Sequence, residues 1–573
     1  MQLVDFTTLT AACHELSDRW LPARLEQVYQ RDRYTVQLGL RTLEERGWLT
    51  LCWHPQAARL CMGDPPPRTP DTFTFSQQLR HQLNGLALVK LGAIADWERV
   101  VDLQFARRPG EPALWHLYVE IMGKYSNVVL VNAENVMITA AHQVSVQQSR
   151  LRPIQTGQPY TPPPPLTEAI PRQDEPQSQW QQRISLIPGA LSKNLLTTYR
   201  GLSSPLANTL IQQAGLSAQA STDELTVEQW QSLYQVWQRW LEILQTGHFQ
   251  PGWLARGYTV LGWNILQPAP DVQTLLDRYY TTQLNQQEFA QLQSQLGQRL
   301  KGLLTKLNSK AEGFRQRLNQ SAQADLYRNQ ADLLMAHLQE WQPGLKSLTL
   351  ADFNTGQPVT IALDPEKNAI QNAQSLYKRH QKLKRARTSV EPLLADVEAE
   401  IQYLEQVEAA VQQCDPDHSS TDLLTLMEIR EELIQQHYLK EPEYRPPANF
   451  NTDFHHYKTP SGFELLIGRN NHQNDRLTFR LASPYDLWFH AQEIPGSHVL
   501  LRLAAGEIAQ DRDLQCAADF AAYYSRARQS AQVPVVYTQP KNVYKPKGAK
   551  PGIAIYKREQ QIWGQPHQVQ SYF

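Results

Sequence analysis

Along the first part of the chain the hydrophobic positions switch between the helical period and the strand period. A short helical start precedes Tyr34–Arg41, where Val36, Leu38 and Leu40 alternate onto one face. Strand runs follow in WLTLCW (48–53) and ARLCMG (58–63). The segment PPPRTPDT (65–72) breaks the pattern, Phe75–Gly85 reads as a helix, and RVVDLQF, LWHLYVEIM, NVVLVN and VMITAA read as four more strands. This predicts an α/β-meander domain over 1–165, ended by PYTPPPP (159–165), a run that favours polyproline II and cannot pair in a sheet. The polar stretch PRQDEPQSQ (171–179) marks 166–185 as a mobile linker.

Within 186–262, residues 187–216 read as helix, turn, helix. Gly201 suits the helix stop, and Ser204 before Pro205 suits a cap with proline at the first helical position. A helix-hairpin-helix, whose turn amides can hold a phosphate, and an ordinary αα-corner both fit, and the corner is the commoner of the two. The stretch 268–440 reads as a coiled-coil arm with helices over 271–345 and 366–412. In the first, Phe289, Leu292, Leu296, Leu300, Leu303, Leu307, Ala311, Phe314 and Leu318 recur in an eleven-residue pattern, which predicts a nearly straight or weakly right-handed helix. Val390, Leu394, Val397, Ile401, Leu404 and Val411 would form its antiparallel partner, and period-2 runs over 348–365 predict a small β-hairpin at the far end. A helix of about 70 residues spans roughly 105 Å at 1.5 Å per residue. A plain dimerisation rod has the same pattern, but the order helix, hairpin, helix favours an intramolecular arm. The last domain, 451–560, is α+β: GFELLIG, LTFRLA, HVLLRLA and VPVVYT read as strands and Leu514–Arg528 as a helix.

Composition narrows the class. The chain has 573 residues, of which 41% are hydrophobic, enough for real cores and about four modules. Its net charge of −1 means that any electrostatic partner must be met by a local patch. The five cysteines, Cys13, Cys52, Cys61, Cys414 and Cys516, form no C-x-x-C pair and fit a reducing compartment. With no signal-peptide pattern at the start and no unbroken apolar run of membrane-spanning length, a soluble cytoplasmic protein with no membrane partner is expected.

Enzyme signatures are missing: no Walker A run, no G-x-G-x-x-G after a strand, no H-E-x-x-H and no G-x-S-x-G. His490 and His498 share a segment with Asp486, but Pro495 and Gly496 intervene and no cysteine is near. Structural hydrogen bonding or stacking on a nucleotide therefore fits them better than a metal. No metal or cofactor is expected. Basic runs say more. YKRHQKLKRAR (377–387) holds six Lys or Arg, and 531–558 holds six more (Lys541, Lys545, Lys547, Lys550, Lys557, Arg558) with Tyr537, Tyr544 and Tyr556 interleaved and no carboxylate. Lysines neutralise phosphates while rings stack on unpaired bases, so nucleic acid is the better reading than a solvated face.

These residues carry a resemblance. FELLIGRNNHQNDRLTFRLASPYDLWFHAQEIPGSHVLLR with AADFAAYYSRARQS and VYTQPKNVYKPKGAKPG closely resembles the NFACT-R domain, and EIMGKYSNVVLV (120–131) resembles the signature of NFACT-N. The order NFACT-N, helix-hairpin-helix, coiled-coil arm, NFACT-R is that of the NFACT family of ribosome quality control factors, whose bacterial RqcH-type members have also been called fibronectin-binding proteins. The resemblance implies an RNA-binding factor that is not itself an enzyme. It would bind the stalled 50S subunit carrying peptidyl-tRNA through 23S/5S rRNA, recruit tRNA-Ala, and promote template-free alanine tailing of the nascent chain, with a small RqcP-like co-factor protein as a further partner. The family's Asp-Arg pair for tRNA handling falls on Glu98-Arg99, the acid one methylene longer and Asp96 close by. The EIM stretch falls on Glu120, Ile121 and Met122, followed by Lys124. In NFACT-R the resemblance implies one RNA-facing surface of Arg469, Asn470, Asn471, Asp475, Trp488, His490 and His498, with the lysines Lys541, Lys545, Lys547 and Lys550. Core packing is the competing role for Trp488 and Phe489. Two other readings are a surface fibronectin-binding adhesin, which requires export, and an Fpg-like DNA-processing enzyme, whose N-terminal proline nucleophile is replaced by Gln2.

Overall fold

Asp5 starts the first helix: its Oδ1 accepts from the Thr8 amide at 2.9 Å and caps α1 (Phe6–Trp20). Two meanders follow. The first is β1 (Ala23–Asp32), β2 (Thr35–Arg41), β3 (Arg46–Cys52) and β4 (Arg59–Gly63); after α2 (Thr74–Leu83) the second is β5 (Ala87–Ala93), β6 (Val100–Ala106), β7 (Trp115–Glu120), β8 (Asn127–Asn132) and β9 (Met137–Ala140). Antiparallel pairing of β1 with β5 joins them into one nine-stranded sheet, β4-β3-β2-β1-β5-β6-β7-β8-β9. The computed structural model describes residues 1–67, 70–164, 169–217, 219–415, 419–441 and 452–572, in two compact units, Met1–Leu284 and Asn285–Phe573.

The first unit continues with α3 (Gln177–Ser185), α4 (Leu191–Thr198), α5 (Ser204–Gln213) and α6 (Val227–Thr246), then a small sheet of β10 (Gly252–Trp253), β11 (Tyr258–Thr259) and β12 (Gln267–Pro268). One hydrophobic core runs through sheet and helices alike, from Val4 to Tyr280. The expected linker is therefore corrected. Residues 165–168 lie outside the described residues, but Tyr160 of the proline run is 6% exposed and Trp180 of α3 is fully buried. Glu175 takes the Tyr199 hydroxyl at 2.8 Å, and its carbonyl takes that of Tyr234. Local composition is polar there, but the partners that order it lie far along the chain. The cap of α5 is Ser203, one residue before the expected Ser204, and Gly201 turns at φ +78°.

The long helix α7 (Val272–Ser321) starts in the first unit and runs on into the second, ending at Ser321, whose hydroxyl donates to the Leu318 carbonyl. The expected helix 271–345 is thus interrupted, and α8 (Ala324–Ala336) follows. The hairpin β13 (Ser347–Ala351) with β14 (Pro358–Ala362) leads into α9 (Ala369–Gln413), capped by Asn368, and α10 (Ser419–Gln435). Phe289, Leu292, Leu296, Leu300 and Ala311 share a core with Val397, Ile401, Leu404 and Val411, as the seam requires, and α10 adds Leu426, Ile429 and Leu433. Leu304 rather than Leu303 is the more deeply buried.

The C-terminal sheet has the order β15 (His455–Lys458), β16 (Glu464–Ile467), β18 (Val499–Leu501), β17 (Leu487–Ala491), β19 (Val533–Thr538), β22 (Gln560–Gly564), antiparallel throughout. Its alternation splits two cores. Leu465, Ile467, Phe489, Val499 and Val535 face α12 (Asp511–Tyr523), whereas Leu466, Trp488, Leu500 and Val536 face a helical turn and the ribbon β20 (Val543–Tyr544) with β21 (Ile555–Tyr556). LTFRLA, expected as a strand, belongs to that turn. Asn470 caps α11 (Asn471–Arg476), and the helix runs on through Leu481 so that Leu477 can cover Trp488.

Candidate nucleic-acid interface

In the first unit a cleft opens where α1, the loop before β6 and the α4–α5 turn meet, lined by Asp5, Phe6, Trp97, Glu98, Arg99, Met122 and Arg200 among others. Its geometry is set by an aromatic wedge. Trp97 takes φ 63°, a left-handed conformation costly for a tryptophan, and stacks on Phe6 at 4.6 Å with Trp240 5.5 Å away. Gly201 lets the α4–α5 turn close onto it, since a Cβ there would lie 2.5 Å from Trp97 Cε3. Asp5 Oδ2 accepts from the Ser203 hydroxyl at 2.6 Å, tying the first turn of α1 to that of α5.

The charges then divide unequally. Glu98 pairs with Arg200 at 3.4 Å, and burial raises its carboxyl above the usual range against the pull of Arg200 and Arg99. Arg99 makes no side-chain hydrogen bond or ion pair with another described residue, and burial lowers its guanidinium against the attraction of Asp5 and Glu98. It is a half-buried cation whose donors are open to a ligand. Trp97, Asp5 and Arg200 were not legible as site residues. The adjacency of Trp97 to Glu98-Arg99 was the one available signal.

The EIM stretch splits up. Glu120 is fully buried, accepting Arg152 Nη1 at 3.0 Å and the Tyr160 hydroxyl at 2.9 Å with a second contact to Arg152 Nη2, so it fastens the 144–160 segment and cannot touch a ligand. Ile121 is core, Met122 lines the cleft, and Lys124 is exposed with its ammonium 5.0 Å from the ring of exposed Tyr125.

In the second unit most of the expected RNA-facing surface turns inward. Arg469 bonds Asp422 Oδ1 at 2.8 Å, Asn470 bonds Glu428 Oε2 at 2.5 Å, and Asn471 bonds buried Glu432 at 3.1 Å, so these three fasten the domain to α10. Trp488 is 1% exposed and donates from its indole nitrogen to Thr478 at 3.1 Å. His490 and His498 are buried beside it, and His498 Nδ1 shares a 2.7 Å hydrogen bond with Thr478. A motif rich in polar residues says that they are held, not which side of the domain holds them.

The basic loop is what remains outside. Asp475 bonds the Gly552 amide at 3.1 Å and ion-pairs with Lys545, anchoring the loop. Lys550 folds back over Tyr438 and Tyr403, 4.2 and 4.8 Å from their ring centres, which makes it a packing cation. Lys541 and Lys547 stay exposed, as do Lys378, Arg379, Lys382, Lys384, Arg385 and Arg387 on α9. Arg387 pairs with Glu391 at 2.7 Å and Arg379 lies 4.4 Å from the ring centre of Tyr327, whereas the other six make no ion pair with a described residue and are free to meet phosphates.

Residues 5–449 match the family described as NFACT N-terminal and middle domains, and 453–557 match the NFACT protein RNA binding domain. The chain is 27% identical over 562 residues to the Rqc2 homolog RqcH of Bacillus subtilis, covering 96% of each chain. It is 30% identical over 558 residues to the Rqc2 homolog RqcH of Streptococcus suis, covering 94% of each. Among solved structures, the C-terminal part of the fibronectin/fibrinogen-binding protein from Streptococcus suis aligns at TM-score 0.39 and 30% identity, covering 50% of this chain and 98% of that one. Among the described residues no helix is long and apolar enough to cross a membrane. With N-terminal, middle and RNA-binding domains matched in order along almost its whole length, the chain belongs to the NFACT family.

Proposed function

We propose that this protein is an RNA-binding ribosome quality control factor of the cytoplasm. It binds 50S subunits that retain peptidyl-tRNA, recruits alanyl-tRNA and promotes template-free addition of alanine to the C-terminus of the stalled chain. Peptide-bond formation belongs to the ribosome, so the protein positions tRNA and carries no catalytic residue of its own; a small RqcP-like protein is a further partner.

The observation that carries this reading is Arg99: a guanidinium unpaired among the described residues, in a cleft whose other charges are already matched. A planar fork of donors held at the rim of a rigid cleft suits a backbone phosphate. Glu98 supports it by holding Arg200 aside. The exposed lysines Lys541 and Lys547 supply a second, sequence-independent contact. The test is reconstituted tailing on purified 50S–peptidyl-tRNA with Arg99→Ala. Tailing is expected to fall at least tenfold while co-sedimentation with 50S persists through the RNA-binding domain. Undiminished tailing by this variant refutes the role of Arg99.

A further inference from the structure

A second cavity, of about 500 Å³, lies within the second unit between α9 and the C-terminal sheet. That size falls in the range of small-molecule sites, roughly 300–1,000 Å³. Gln402, Glu405 and Gln406 form one wall; Trp488, His490 and His498 form another, and the segment Gly552–Tyr556 closes it. The aromatic wall is ordered: Trp488 and His490 stack at 5.7 Å, His498 stands edge-on to both at 5.1 and 5.4 Å, and Tyr556 lies 5.7 Å from Trp488.

Two lining residues have a buried polar atom without a partner. His490 Nε2 and Gln406 Oε1 are shielded from solvent and hydrogen-bond to nothing among the described residues. His490 as a whole is 9% exposed. Unmet polar atoms of this kind are rare and destabilising. Two on one cavity, from different elements, mark a place where a ligand would complete the hydrogen bonding. One atom is an acceptor-only carbonyl and the other an imidazole nitrogen, set in flat aromatic surroundings. That combination suits a flat heterocycle carrying an amine next to a ring nitrogen.

The surroundings indicate where such a ring comes from. The lysine loop Lys541–Lys550 leads directly into the wall segment, and Gly552 holds the junction at φ +78°, where a Cβ would fall 2.3 Å from Asn471 Oδ1. Glu405, the carboxylate that could repel a phosphate from the α9 side, is paired with Arg526 at 3.2 Å; Glu493 is the other acid on the rim. We infer that this cavity receives one unpaired nucleobase, best one with an exocyclic amine, splayed out of an RNA whose phosphates follow the lysine loop. This rests on the RNA-binding reading above and names a base-recognising site within it.

The probe is a fluorescein-labelled pentameric ribose-phosphate ladder with a single adenine at its centre, compared with the same ladder fully abasic. Both carry the same phosphates, so their electrostatic binding is the same. The full-length protein is titrated with each by anisotropy at low salt. The adenine probe is expected to bind about tenfold more tightly, in line with the stacking of one base. His490→Phe and Gln406→Leu each remove an unmet polar atom. Both variants are expected to bring the two probes within twofold of each other while the thermal midpoint holds or rises. That pairing of lost discrimination with undiminished stability is one that a purely structural role would not produce. Equal affinity of the wild type for both ladders overturns the proposal, as does discrimination that survives both variants. Displacement of the abasic ladder by a tryptophan-containing tripeptide, without base discrimination, assigns the cavity to a protein side chain and also overturns it. Co-sedimentation with 50S, measured on the same preparations, reports separately on the parent reading.

Discussion

Replacing Glu120 tests whether the EIM stretch acts on RNA or on the fold. Its carboxylate is fully buried and holds Arg152, whose side chain is only 12% exposed, together with the Tyr160 hydroxyl. Glu120→Ala leaves that guanidinium without its counter-charge and the hydroxyl without its acceptor. Removing one partner of a buried pair costs about 3–5 kcal/mol. The segment can relieve this by opening, because Arg152 sits near the surface. The expected loss is therefore local: amide exchange over 144–160 should speed up by two to three orders of magnitude, at about 1.4 kcal/mol per tenfold. Hydrogen-exchange mass spectrometry reads this directly. The salt dependence of tRNA binding should keep its slope, since a buried carboxylate neutralises no phosphate. Glu120→Leu combined with Arg152→Met should recover most of the protection, because an apolar pair removes both charges together. Unchanged exchange over 144–160 alongside a weakened tRNA affinity would refute the fastening role.

Other consequences follow from burial and backbone geometry. Burial pushes the His490 imidazole from its ordinary 6.5 down to about 4 and holds His498 well below its usual value, so both are neutral in the fold. Unfolded histidines take up protons that these cannot, so their contribution is complete above about pH 7 and is lost as pH falls toward 4. At pH 5 His490 alone should cost about 2 kcal/mol. Exchange of β17 amides at pH 7.5 and pH 5 checks this, and an equal pH effect in His490→Phe would sink the assignment. Gly201→Ala should displace Trp97 and lower both the thermal midpoint and tRNA affinity, because its Cβ would lie 2.5 Å from the indole. Gly215→Ala, also at positive φ but with open space around it, should cost only about 1–2 kcal/mol and leave tRNA binding intact.

Periodicity alone determined much of this protein. Seven of the nine meander strands, the seam from Phe289 to Ala311 against Val397 to Val411, the hairpin between the long helices and β16, β18 and β19 of the C-terminal sheet were legible, because side-chain period follows directly from backbone geometry. The basic loop was legible too, since its glycines, prolines and lysines act locally. What only the tertiary structure decided was the partner of each polar or amphipathic group. Trp488 lies on β17, and whether its face meets RNA or the helical turn bearing Leu477 depends on what covers the sheet. Glu120, Asn470 and Asn471 are polar in sequence, and they become fasteners only because Arg152, Glu428 and Glu432 arrive from elsewhere. Arg99 stands out for the opposite reason: the fold brings acids near it and bonds each of them to something else. A period of two or of 3.6 says which way a side chain points, whereas long-range packing chooses what it meets, and in this protein that choice separates the residues that hold the fold from those free to hold RNA.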